Sequence, residues 1–269
     1  MIAENSTAEL EGKAALVLGA GRNMGRAIAL MLADRGADVV VHARANAEEV
    51  QQVAAEVHAR GRRVVPLLAD LGVRDQLEPA IRGAIDVLGG IDILVNTAMI
   101  RPPQGFLDIT HDEWRRVMAV NLDGRFVACQ LVLPGMMERG WGRVINFSGS
   151  GGFAISPGAP HRAHAVVTQT GTVGLTRALA VEFAPHGITV NTVAPGVVDT
   201  ERTSEWYLAP GRSFDARAAS GAEARKVPPP VGRMGTIAEA AALCGYLVSD
   251  QAAFVTGQTL HLNGGTYLS

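Results

Sequence analysis

The sequence predicts an α/β protein, a single domain built on a doubly wound parallel sheet of about seven strands. Two observations carry that expectation. Short runs rich in Val, Ile and Leu recur along the chain, and longer segments of helical period separate them. The runs are apolar almost throughout, the pattern of strands covered on both faces, as a parallel sheet between two helical layers requires. Length agrees, because 269 residues that are 48% hydrophobic suffice for one substantial core.

The elements follow in order. Strands are expected at 14–18, 38–42, 64–68, 91–96, 144–147, 188–193 and 259–262. A Gly-rich turn after the first strand opens a helix over about 24–33. Asn46 and Glu49 stand as N-cap and third residue of the next helix, and further helices are expected near 75–88, 112–138 and 163–184. Thr110 with Glu113, and Thr236 with Glu239, have the spacing of capping boxes. Right-handed crossovers wind such a chain into an open sheet whose ligands bind at the carboxyl ends of the strands. Residues 199–230, with Pro210, Gly211, Gly221, Trp206 and Tyr207, break the alternation and read as a lid or substrate loop within the one domain 1–269.

Composition excludes several classes. The formal net charge is -2 with both signs interspersed, so nucleic acid and membrane surfaces are not expected partners. The start lacks the apolar core of a secretion signal, no membrane span is expected, and Cys129 and Cys244 read as reduced core thiols. A cytoplasmic location is the resulting expectation.

The first strand runs into Gly19-Ala20-Gly21-Arg22-Asn23-Met24-Gly25. Glycines there let the backbone approach a pyrophosphate, and the helix beyond offers free N–H groups. With Gly19, Asn23 and Gly25 in the places of a Gly-x-x-x-Gly-x-Gly motif, the chain resembles the short-chain dehydrogenase/reductase family, in particular its 3-oxoacyl-carrier-protein reductases. Asn replaces the middle glycine, so a positive φ is expected at Asn23.

The resemblance runs through the whole chain. Asp70-Leu71 stands where relatives contact adenine, and Asn96-Thr97-Ala98-Met99 where they carry Asn-Asn-Ala-Gly. Asn121 matches a helix asparagine that anchors a water. Pro195-Gly196, with Val198 and Thr200 after it, matches the nicotinamide-side motif. It implies a Rossmann fold and a dinucleotide held by Gly19, Arg22, Asn23, Met24, Gly25, Arg44, Asp70, Leu71, Asn96, Ala98, Gln169, Pro195, Gly196, Val198 and Thr200. No carboxylate ends the second strand, where NAD-binding relatives place one. Arg22 and Arg44 flank that point instead and can clamp a 2′-phosphate, which favours NADP. By analogy with relatives, a homotetramer is expected.

The family's catalytic groups are a Ser, a Tyr and a Lys four residues after the Tyr. Aligned on Gly171-x-x-Gly174, the Lys position is Gln169 and the Tyr position Ala165; aligned on the fifth strand, the Ser position is Gly149. No Tyr or Lys occurs from residue 14 to residue 206, so no shift of register restores the pair. Candidate substitutes are His164, Ser148 and Ser150, with Asn121 and Gln169 in supporting roles. Strand alternation turns Ser148 and Ser150 away from the face of Gly149, unless the strand has already ended. The resulting expectation is an NADP-dependent oxidoreductase with a non-standard site, acting on a small molecule such as an enone, enoyl thioester or ketone. A catalytically silent NADP-binding protein and a non-redox lyase or isomerase are the alternatives.

Overall fold

The computed structural model describes residues 9–153, 162–201 and 229–268. The expected lid at 199–230 lies almost wholly outside the described residues. Among those described, the order is β1 (Ala14–Leu18), α1 (Asn23–Asp34), β2 (Asp38–Ala43), α2 (Ala47–His58), β3 (Val64–Leu68), α3 (Arg74–Leu88), β4 (Ile93–Asn96), α4 (His111–Met118), α5 (Gly124–Arg139), β5 (Gly142–Phe147), α6 (Ala163–Phe183), β6 (Ile188–Pro195), α7 (Ile237–Val248) and β7 (Thr259–Leu262).

The seven strands pair in the order β3-β2-β1-β4-β5-β6-β7, all parallel. The order reverses between β1 and β4, which places the crevice for a ligand at their carboxyl ends. Side chains of β1 alternate between two cores. Leu16 and Leu18 join Leu77, Ile81, Val127 and Val132 of α3 and α5. Ala15 and Val17 join Ile28, Leu32, Val53 and Leu247 of α1, α2 and α7. Asn46 accepts from the Glu49 backbone N–H, and both capping boxes, at Thr110 and Thr236, are formed.

One expectation needs correcting. The helix expected over 112–138 is interrupted by a π turn, Ala119–Asp123, between α4 and α5. The extra residue turns Asn121 inward, where its amide bonds the backbone of Ile100 and the hydroxyl of Thr168. Periodicity along α4 and α5 does not encode those tertiary bonds. The run His111–Arg139 is long and apolar enough to cross a bilayer by length and composition. Here α5 packs on α3 and the sheet, which accounts for its apolar character. Both cysteines are free and buried, and burial pushes the Cys129 thiol up to about 12.

Candidate functional site

The turn after β1 is built by close approach. A Cβ on Gly25 would run into the carbonyl of Gly19. One on Gly19 would lie 2.8 Å from Thr97 Oγ1 and 2.9 Å from the Ala98 Cβ, so the turn packs closely on the residues that follow β4. Thr97 Oγ1 and the Ala98 N–H both bond Leu18 O, at 2.8 and 3.0 Å. Asn23 has φ 51°, as expected for a residue standing in for glycine. Its side chain exchanges two bonds of 2.9 Å with the backbone of Glu201, one residue beyond Thr200. Met24 is half-buried beside it.

The start of α1 has neither a side-chain cap nor an acid in its first turn, whereas α2, α4 and α7 are capped. Among the described residues its first N–H groups therefore have no capping side-chain acceptor, which fits an anion such as a pyrophosphate.

Beyond the turn, His42 at the end of β2 is buried. Its Nδ1 accepts from the Gly19 N–H at 3.1 Å, and its Nε2 bonds Ala69 O at 2.9 Å, joining β1, β2 and β3. Burial pushes this imidazole below its ordinary value. Each arginine of the expected clamp faces a carboxylate. Arg22 lies 3.9 Å from Glu49, and Arg44, exposed, is close enough to Asp70 to lower that acid's pKa. Asp70 itself accepts two bonds from Arg116, at 2.9 and 2.6 Å, and one from Gly72 N–H. That Arg116 bond is the main cause of its lowered pKa. The Leu71 carbonyl packs against Gly124.

At the other end, Gly196 N–H bonds Leu262 O and Gly196 packs on Asn263, so Pro195-Gly196 is held by β7. Val198 is buried and bridges Gly235. Asn96 is buried and donates to Asn146 at 2.7 Å, and Asn146 donates to Thr176 of α6. Arg125 is buried completely, donating to Phe147 O at 2.6 Å, Thr172 Oγ1 at 2.9 Å and Ala98 O at 3.3 Å. Burial lowers its pKa to about 10. One cation thus ties the ends of β4 and β5 to α6.

The sharpest local arrangement joins Gly149 and Gln169. A Cβ on Gly149 would lie 2.6 Å from Gln169 Nε2, and one on Gly151 2.6 Å from its Oε1. The amide of Gln169 fills the space that a side chain at 149 would need. Among the described residues its Nε2 otherwise meets only the Met99 sulfur, at 4.0 Å. Strand β5 ends at Phe147, so alternation does not govern the residues that follow. Ser148 is nonetheless spent, since its hydroxyl donates to Gln169 O at 3.0 Å, while Ser150 opens a half-buried 3-10 turn.

Ala165 and Gln169 lie on one stripe of α6. His164, Thr168 and Thr172 lie on the next, facing Asn121 and Arg125. His164 is wholly buried, its Nδ1 accepting from the Ala165 N–H, and Glu113 of α4 is the acid that acts on it. The structure therefore brings Gln169, Gly149 and Ser148 together and sets His164 on a different face.

Four contributors were not singled out from the sequence. Arg116 and Arg125 lie in helical periods that give no sign of their partners. His42 was noted only as the lack of a carboxylate. The fourth is a phenol–imidazole pair: Tyr267 bonds His261 Nδ1 at 2.8 Å, and Phe153 meets the His261 ring edge-on at 4.7 Å between centroids. Phe153 follows the Gly149–Gly152 segment, a proximity that sequence spacing hides.

Comparison with known proteins agrees with this geometry. Residues 19–267 match the family described as enoyl-(acyl carrier protein) reductase. The 3-oxoacyl-[acyl-carrier-protein] reductase FabG of Staphylococcus aureus is 35% identical over 95% of this chain and 98% of its own. The crystal structure of a 3-oxoacyl-[acyl-carrier protein] reductase from Brucella melitensis superposes with a TM-score of 0.83 at 33% identity, covering 100% of this chain and 97% of that one. A short chain dehydrogenase from Burkholderia cenocepacia, solved in complex with NADP, gives 0.82 at 30% identity, covering 96% and 98%. With the Gly-rich turn, the strand order and this likeness along nearly its whole length, the chain belongs to the short-chain dehydrogenase/reductase family of oxidoreductases.

Proposed function

We propose that the protein is an NADP(H)-dependent oxidoreductase with a non-standard active site that reduces a conjugated C=C bond, as in an enone or enoyl thioester, in preference to an isolated ketone. The observation that carries this reading is the pairing of Gly149 with Gln169, together with Ala165, buried one turn before Gln169 on the same stripe of α6. The family's serine, tyrosine and lysine positions then hold a glycine, an alanine and an uncharged amide.

The cofactor-binding roles follow the same reading. The uncapped start of α1 and the backbone at Gly19, Asn23 and Gly25 fit the pyrophosphate. Arg22 and Arg44 take the 2′-phosphate. Ala98, Asn96, Pro195, Gly196, Val198 and Thr200 line the nicotinamide half. When bound, the reduced nicotinamide supplies a hydride. Reducing a ketone leaves an alkoxide that must receive a proton from a positioned acid. Adding hydride to the β-carbon of an enone moves the electron pair onto the carbonyl oxygen as an enolate, and water can then protonate the α-carbon. This demands a hydrogen-bond donor at the oxygen, and the Gln169 amide supplies one: among the described residues its Nε2 N–H is engaged only by a thioether, a weak acceptor.

The test is NADPH oxidation across matched enones and ketones. Turnover of enones alone is expected, with Gln169→Ala lowering kcat by on the order of a hundredfold to a thousandfold, the range for loss of an oxyanion donor. Turnover of ketones at family-like rates would end the reading. The double variant Arg22→Ala/Arg44→Ala is expected to weaken NADPH far more than NADH. The same vacant positions favour a second reading, an NADP-binding protein without turnover, and tight NADPH binding with no substrate consumed would select it. We place the protein in the cytoplasm as a homotetramer, to be checked by light scattering on the purified chain.

A further inference from the structure

The strand-end acid that marks NAD-binding relatives is missing from β2, which runs out through His42, Ala43 and Arg44. A carboxylate nevertheless occupies that space. Glu49 sits in the first turn of α2, and its side chain folds back over the Gly-rich turn. A Cβ built on Gly21 would lie 3.0 Å from Glu49 Oε2, 3.3 Å from Glu49 Cβ and 3.6 Å from Ala43 Cβ. Its other oxygen, Oε1, is 3.9 Å from Arg22 Nη1, and its side chain is 31% exposed against 44% for Arg22. One small region, bounded by Gly21, the end of β2 and the start of α2, thus holds an acid and a base that are both partly open to solvent.

We infer that Glu49 determines specificity between phosphorylated and non-phosphorylated dinucleotides. This rests on the dinucleotide-binding reading above and refines it. An adenosine ribose set against Gly21 presents its 2′ substituent to this region. A free 2′-hydroxyl donates its hydrogen bond to the Glu49 carboxylate, as the acid at a β2 terminus does elsewhere. A 2′-phosphate draws Arg22 away from Glu49 and meets the carboxylate as a like charge. Arg22 and Arg44 favour NADP, and Glu49 works against them. The protein therefore uses both coenzymes, with a preference set by one carboxylate that arrives from a helix rather than from a strand.

Gly21 is absent from the positive-φ residues, and the approach of the Glu49 side chain leaves little room for a side chain there.

The experiment measures dissociation constants for NADPH and NADH by fluorescence titration of the full chain, in wild type, Glu49→Gln and Glu49→Ala. Glu49→Gln removes the charge and keeps an acceptor. NADPH affinity is expected to rise by on the order of threefold to tenfold, the scale of one unit charge near a phosphate in high dielectric, while NADH changes by less than about twofold. Raising the salt shrinks the NADPH gain. Glu49→Ala, which also loses the acceptor, is expected to weaken NADH as well. A ratio of the two affinities that stays at the wild-type value in both variants overturns the assignment of Glu49, with coenzyme binding intact. Wild-type protein that binds neither coenzyme overturns the dinucleotide reading itself and this inference with it.

Discussion

The side-chain amide of Asn23 spans the Gly-rich turn and pairs with the backbone of Glu201 through one donated and one accepted bond, each 2.9 Å. A glycine at the same place supports the same positive φ and cannot make the pair. Asn23 therefore adds a link between the first turn and the segment after β6, the two ends of the cleft. Asn23→Gly is expected to leave stability within about 1 kcal/mol, because glycine tolerates the backbone. It is also expected to speed NADPH release severalfold in stopped-flow displacement. Asn23→Ala loses the link and adds backbone strain, and costs about 1–2 kcal/mol in urea unfolding. Identical release rates in wild type and Asn23→Gly would show that the link does not hold the cleft.

The Gly149–Gln169 arrangement predicts that the family groups return only together. Gly149→Ser alone drives its Cβ into the Gln169 amide, 2.6 Å away, and is expected to lower stability by about 1–3 kcal/mol. Gly149→Ser with Ala165→Tyr and Gln169→Lys is expected to gain ketone reduction that no single variant shows. An active Ala165→Tyr single variant would contradict this coupling.

His42 gives the cleft a pH dependence of known direction. Its folded pKa lies below the ordinary value of about 6.5, so the unfolded chain binds more protons in that window. Its contribution to stability is complete above about 6.5 and is lost as pH falls toward the folded value. Protonation also puts a hydrogen on Nδ1, opposite the Gly19 N–H that now donates to it. NADPH affinity is expected to fall as pH drops below the ordinary imidazole range, and His42→Gln to flatten that fall. A fall that persists unchanged in His42→Gln shows that His42 is not its cause.

Arg125 makes three bonds from full burial, and among the described residues no acidic side chain is a hydrogen-bond partner. Arg125→Ala leaves Ala98 O, Phe147 O and Thr172 without those donors and is expected to cost about 2–4 kcal/mol. Arg125→Lys keeps the charge but lacks the planar fork that reaches all three. Its loss is expected to be smaller, and denaturant midpoints distinguish the two.

Much of this molecule was legible in the sequence. Strands β1, β3 and β7 fall where the apolar runs put them, and the caps at Asn46, Thr110 and Thr236 follow from local spacing. Asn23 was legible because few residues accept a positive φ. The turn at Ala119–Asp123 was not, since its cause lies in Ile100 and Thr168, distant along the chain. Arg125 and Arg116 share that difficulty, because their partners come from other elements. Glu49 was visible as the third residue of a helix, but its reach back to Gly21 depends on how α2 leaves β2. In each case local rules placed the backbone, and long-range polar contacts decided the site.

The proposed reading is that a working dinucleotide cleft survives in a chain without the family's usual proton relay. Calorimetric titration of the purified protein with NADPH tests it most directly. One saturable site per chain is predicted, with affinity that weakens in Arg22→Ala/Arg44→Ala. No heat with NADPH, and none with NADH, would contradict the account.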